Sequence, residues 1–276
     1  MKNSIYINKS TNFIQYNYLI IRGVKMESKN IKFNSGKKEN EGNLSNEKAP
    51  SGSEKQYERI QNIGSVITGS SNKKIYCLTI IGQIEGHTYL PPENKTTKYE
   101  HVIPELVAIE EDPQIDGLLL LLNTVGGDIE AGLAIAELIA GMNKPSVSMV
   151  IGGGHSIGVP LAVCTDVSFI ANSATMTIHP VRTTGMTVGA PQSYEYFKRM
   201  QERIANFVVS NSKMSKERFY ELCMNTEEMA LDIGSIIEGQ DAVKEGLIDR
   251  CGTLSEALEC LYSLKKDKSK KPSKKQ

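Results

Sequence analysis

Apolar residues in this chain follow two spacings, and both start late. Between Met26 and Glu58 the sequence is Lys, Asn, Ser, Glu and Gly with almost no apolar periodicity. Such a stretch buries too little surface to offset its ordering entropy, so residues 1–70 are expected to form a disordered polar segment. Order is expected from about Lys73. Ile75 to Ile81 reads as a buried strand and Asp116 to Leu122 as a continuous apolar one, with further strands at Pro145 to Ile151, Asp166 to Ile170 and Thr175 to Ile178. Between them, Tyr99 to Glu111 carries Val102, Leu106, Val107 and Ile109 at helical spacing. Asp128 to Met142 is amphipathic with Asp128 near its N-cap, and Ser156 to Cys164 is helical. Gly82 to Thr97, broken by Pro91 and Pro92, reads as a loop. A long helix is expected over Ser193 to Asn211, with Phe197, Met200, Ile204 and Val208 on one face. Helices at Lys216 to Cys223 and Gln240 to Glu245, a last strand from Leu247, and a closing helix from Leu254 to Leu264 complete the pattern. Strand alternating with helix predicts an α/β fold with a parallel sheet covered on both faces.

Composition narrows the setting. The 32 basic and 32 acidic side chains cancel, and tryptophan is missing, which argues against nucleic acid as a partner. The balance hides a tail: residues 265–276 hold seven lysines and one aspartate, a net of +6, which leaves the rest at −6. That tail is expected to be solvated. Cys77, Cys164, Cys223, Cys251 and Cys260 are dispersed and unpaired in spacing, which predicts reduced thiols and neither a disulfide framework nor a metal site. No run approaches the roughly 18 apolar residues of a membrane span, so a cytoplasmic protein without an integral membrane segment is expected. Residues 1–25 carry tyrosine and isoleucine, unlike the polar stretch that begins at Met26, and Met26 is a candidate for the true start.

The candidate chemistry lies between the strands. Gly152-Gly-Gly-His-Ser156-Ile-Gly158 leaves a strand and opens a helix. Glycines permit a sharp turn that uncovers Ser156, and the helix dipole and the Ile157 N–H would favour a developing oxyanion. The competing reading is an ordinary N-cap. Gly154 to Gly158 also matches the nucleophile elbow of α/β-hydrolases. That fold needs a late triad histidine, and nothing follows His179 among His87, His101, His155 and His179. His179, at the end of the strand Thr175 to Ile178, points to the cleft where parallel sheets bind ligands and is the candidate base. His155 adjoins the serine, where successive side chains diverge. Asn123-Thr-Val-Gly126-Gly127-Asp128 is too short for a phosphate loop but can supply a second oxyanion donor.

In this order, these pieces resemble one family. The Asn-x-x-Gly-Gly turn and Ala131-Gly-Leu-Ala-Ile135 are followed by Ser156, then Met176-Thr-Ile-His179-Pro, then Glu238 to Asp249. Over about residues 73 to 262 the chain is similar to the proteolytic subunit of the Clp protease, a serine peptidase of the ClpP/crotonase fold. The Gly-Gly-Gly-His-Ser-Ile-Gly-Val-Pro wording and Lys98-Tyr-Glu-His101 resemble its translocation-enhancing subgroup. The resemblance implies a fold of repeated β-β-α and β-α units with a long handle helix, over residues 71–264. It implies Ser156 as nucleophile, His179 as general base, and Gly127 and Ile157 N–H groups as the oxyanion hole. It further implies a handle from Met186 to Asn211 through which rings of a homo-oligomer meet. Unfolded polypeptide would be the substrate, an AAA+ unfoldase a partner, and no cofactor would be needed.

Two departures qualify this. Counting back from Gly246, the family's triad aspartate falls on Gly234, and Asp232 is the nearest acid. A triad through Asp232, a Ser–His dyad and a weakened site are the alternatives. Lys198 stands about where related enzymes carry a serine–lysine base, although Arg199 and Glu202 beside it suggest a solvated face. A client-binding scaffold and a crotonase-type acyl-CoA enzyme are the competing functions.

Overall fold

The structure, a computed structural model, describes residues 64–70, 73–183, 189–227 and 232–264, together with Gln56 and Ile60. The Met26 start, nearly all of the polar segment, the strand part of the handle and the lysine tail lie outside the described residues. The elements run β1 Val66–Ser70, β2 Lys73–Glu85, β3 Thr96–Lys98, α1 Tyr99–Glu111, β4 Gly117–Gly127, α2 Ile129–Gly141, β5 Ser146–Gly154 and α3 Gly158–Val163. They continue β6 Val167–Ile170, β7 Thr175–Ile178, α4 Ala190–Ser210, α5 Lys216–Cys223, β8 Ser235–Glu238, α6 Gly239–Lys244, β9 Arg250–Cys251 and α7 Leu254–Ser263.

The main sheet has the order β1-β2-β4-β5-β6-β9. Every neighbouring pair in it is parallel except β1, which lies antiparallel on β2. β4 shows why its sequence is an unbroken apolar run. Side chains alternate across a sheet. Leu118, Leu120 and Leu122 enter the larger core beneath the helices, while Leu119 joins Ile75, Cys77, Met149 and Phe169 against Ala257, Cys260 and Leu261 of α7. Both faces are covered, as the α/β pattern required. Asp128 caps α2 by accepting the Ala131 N–H at 2.8 Å. Thr253 and Glu256 form a capping box that starts α7.

Several boundaries differ from expectation; β4, for one, continues past Leu122 to Gly127 and takes in most of the expected turn before α2. Strand structure begins at Val66 rather than near Lys73, because Val66 to Ser70 pairs antiparallel with the start of β2. The expected loop of 82–97 is shorter: β2 continues to Glu85, and β3 pairs in parallel with its end. β8 is an additional strand whose alternating burial extends over only four residues. The last strand starts at Arg250, since Leu247 and Ile248 are both turned into the core.

One departure from the main sheet positions the site. β5 pairs with β6 up to Val150 and then meets β7 at Gly153 and Thr175, where β7 pairs antiparallel with β8. The diverging strands open a gap at their carboxyl ends, the position where α/β sheets bind ligands.

Candidate active site

Ser156 stands at the turn from β5 into α3 with φ 58°; it is the non-glycine residue with positive φ among those described. Left-handed backbone is unfavourable for an L-residue carrying a Cβ, and it persists where the surroundings over-determine it. Here the Ser156 N–H donates to the Thr177 carbonyl at 2.9 Å, and the Val159 N–H donates to the Ser156 carbonyl at 3.0 Å. Gly126 lies directly beside the serine. A Cβ at 126 would come within 2.6 Å of Ser156 Cβ and 2.8 Å of the His155 carbonyl, so only glycine fits that turn.

Gly127 and Ile157 line the same cavity, and their backbone amides are the candidate oxyanion donors. The Gly158 N–H donates to the His155 carbonyl, whereas the Ile157 N–H has no acceptor among the described residues. On β4, the Asp128 N–H donates to the Ile84 carbonyl, and Ile84 pairs with Gly127. In a parallel ladder that pattern leaves the Gly127 N–H outside the bonds to β2. Gly127, Ser156, Ile157 and His179 all line one cavity of about 140 Å³. Its remaining walls are mainly apolar, including Ile129, Val159, Ile178, Ile204 and Phe219.

His179 follows β7 and is half-buried. Its Nδ1 lies 2.7 Å from the Pro180 carbonyl, an acceptor only, so Nδ1 carries the proton and Nε2 is left as the basic nitrogen. Burial is the main cause that lowers its pKa below the usual imidazole value. The Pro180 hydrogen bond opposes this, Arg182 adds to it and Asp232 opposes it. The ring is therefore neutral at pH 7.

At Gly234, where the family resemblance leads one to expect an acid, the chain offers backbone alone. Ile178 pairs with Ser235, which sets Gly234 beside His179. A Cβ there would fall 2.8 Å from His179 Cβ and 2.4 Å from the Ile178 carbonyl, and the backbone has φ 134°. Asp232 lies near enough for its charge to act on His179 but forms an ion pair with Arg182 at 2.9 Å. Lys198 is exposed on α4 and does not line the cavity. His87 and His101 are exposed, and His87 Nδ1 is 3.2 Å from the Tyr99 hydroxyl. The structure thus brings together Ser156, His179, Gly127 and Ile157, and leaves Asp232 engaged with Arg182. Sequence reasoning did not foresee Arg182 on the cavity wall or the Pro180 carbonyl as the histidine's partner. A basic residue three positions after a candidate base was the only available signal for the first.

This sheet, with its strand-to-helix serine turn, belongs to a known class of protein. A Clp protease family profile matches residues 71–254, and the chain belongs to that family. Within it, the chain is similar to the translocation-enhancing protein TepA of Halalkalibacterium halodurans, with 54% identity over 208 residues, 75% of this chain and 81% of that one. It is also 26% identical, over 228 residues, to an Enterococcus faecium protein provisionally named signal peptide peptidase SppA. That match covers 72% of this chain and 65% of the relative.

Proposed function

We propose that the chain is a serine endopeptidase acting through Ser156 and His179. The observation that carries this reading is their joint presence on one apolar cavity, with Ser156 in a left-handed turn and His179 presenting a bare Nε2. Ser156 Oγ attacks the peptide carbonyl while His179 Nε2 takes its proton. The Ile157 and Gly127 N–H groups stabilise the oxyanion. The protonated His179 then donates to the leaving amine. A water then attacks the acyl ester as it loses its proton to the same nitrogen, and His179 returns that proton to Ser156 Oγ as the acid product leaves. The Pro180 carbonyl holds the tautomer that a triad acid would otherwise hold, and Asp232 favours the imidazolium through its field. The apolar cavity suits a substrate side chain of similar character beside the cleaved bond.

Family membership supports the wider reading. The substrate is unfolded polypeptide, the working form is a homo-oligomer of stacked rings, and an AAA+ unfoldase delivers chains to it. The name of the Halalkalibacterium relative supports a link to protein translocation, carried out from the cytoplasm. Hydrolysis of unstructured fluorogenic peptides by the assembled protein tests the proposal. Cleavage that is lost in Ser156→Ala and His179→Ala is expected.

A second reading has its own observation. Gly234 stands beside His179 in place of an acid, and no hydrogen bond joins Ser156 to His179 among the described residues. Catalytic hydrogen bonds are often long without substrate. An assembled protein that binds unfolded clients and cleaves none would instead be a scaffold on this fold.

A further inference from the structure

The imidazole next to Ser156 takes no part in the proposed catalytic steps, yet its surroundings are built around it. His155 leaves the end of β5, and its Nδ1 lies 2.8 Å from Thr177 Oγ1. The ring folds back over the strand it came from. A Cβ at Gly153 would sit 2.6 Å from His155 Nε2 and 2.8 Å from Cδ2, so the glycine forms the floor on which the ring rests. Thr177 therefore holds both members of the His155–Ser156 pair. Its hydroxyl meets the imidazole, and its carbonyl accepts the Ser156 N–H at 2.9 Å. Thr177 also lies two residues before His179, on the same face of the chain. The contact thus ties the nucleophile's turn to the strand that carries the base, where the turn is strained and most in need of support.

We propose that His155 is a positioning residue: seated on Gly153 and bonded to Thr177 Oγ1, it clasps the Ser156 turn to β7 and keeps Ser156 facing His179. The clasp rests on the reading of Ser156 as the nucleophile. It explains why an imidazole occupies a position whose side chain diverges from the serine's. His155 acts on the geometry of its neighbour and takes no proton from it.

The test is the rate at which a fluorophosphonate labels Ser156 in the full chain, in wild type, His155→Ala, His155→Asn, Thr177→Val, Thr177→Ser and the His155→Ala/Thr177→Val double variant. Loss of one such bond slows labelling about tenfold. His155→Ala and Thr177→Val are each expected to slow by that factor, and the double variant no further, because both remove one contact. His155→Asn places an amide near the former Nδ1, and Thr177→Ser keeps the hydroxyl, so both are expected to recover most of the rate. The pH profile separates positioning from loosening of the fold. His179 is faced by His155, Arg182 and Asp232. Burial and the charge on His179 lower the pKa of His155, so His155 is uncharged when His179 titrates; the rising limb is expected to keep its place in both His155→Ala and Thr177→Val, whereas a disordered site would move it. Labelling of His155→Ala at the wild-type rate overturns the proposal. So do additive losses in the double variant, or conservative variants that fold but recover nothing. Should either disruptive variant fail to fold, His155→Asn and Thr177→Ser decide the matter by the same criterion. A wild type that takes no label removes the peptidase reading and this proposal together. A labelled wild type with an unaffected His155→Ala removes this proposal alone.

Discussion

Among single residues, the site depends on what glycine allows. Gly126 adjoins Ser156 so closely that a methyl group would displace the serine or the His155 carbonyl. Gly126→Ala is expected to slow fluorophosphonate labelling by about two orders of magnitude, the scale of an ångström-size misplacement. Gly141, at the end of α2, has no atom within 4 Å of its added Cβ. Gly141→Ala is expected to leave labelling intact and to raise unfolding free energy by up to about 1 kcal/mol in a denaturant titration. His179 sets the pH dependence. Its protonated form cannot accept the serine's proton, and burial lowers its pKa. Labelling should therefore persist below the usual imidazole midpoint and be lost only as pH falls through the depressed value. A midpoint above the free imidazole's would contradict that geometry. The sequence made Ser156, Ile157, Gly127 and His179 legible because each sits in a short motif whose glycines or strand end dictate its exposure. The Arg182–Asp232 pair and the His155–Thr177 contact were not legible, since both depend on how distant segments meet.

Among the secondary-structure elements, β4 is the keel of the molecule. Leu120 is fully buried among the larger core's strands and helices, and Leu120→Ala is expected to cost about 2–5 kcal/mol in chemical denaturation. A loss below about 1 kcal/mol would mean that the core is less tightly packed than its burial implies. The apolar runs and helical periodicities were long enough to read directly, and β7 and α5 were found at their expected bounds. β1, β3 and β8 were not found, because what defines them is their pairing, β1 and β3 on β2 and β8 on β7, rather than an apolar run of their own. Their pairing comes from neighbours that other segments supply. α4 has 21 residues, but its buried positions are Ala205, Phe207 and Val208, near its end. Arg203 pairs in bidentate fashion with Glu130 of α2 at 2.6 and 3.1 Å. Both side chains are about half exposed, so Arg203→Ala is expected to cost less than about 1 kcal/mol.

Across the molecule, the described part is a mainly parallel sheet whose β7–β8 arm turns away and leaves a cavity beside the serine turn. No helix among the described residues is long and apolar enough to cross a membrane. The first turns of α4 leave Tyr194 and Tyr196 well exposed, at 66% and 49%. In the proposed ring assembly this end of the helix meets another subunit. Native mass should then exceed the 30.4 kDa of one chain, and Tyr194→Ser with Tyr196→Ser should shift it toward single subunits without lowering the melting temperature. Everything proposed for the site rests on Ser156 being an activated nucleophile, and intact mass after fluorophosphonate treatment asks that question without a substrate. One adduct per chain is expected in the assembled wild type, none in Ser156→Ala, and none or a trace in His179→Ala. A correctly assembled wild type that gains no adduct, or a Ser156→Ala variant that still gains one, would contradict the assignment.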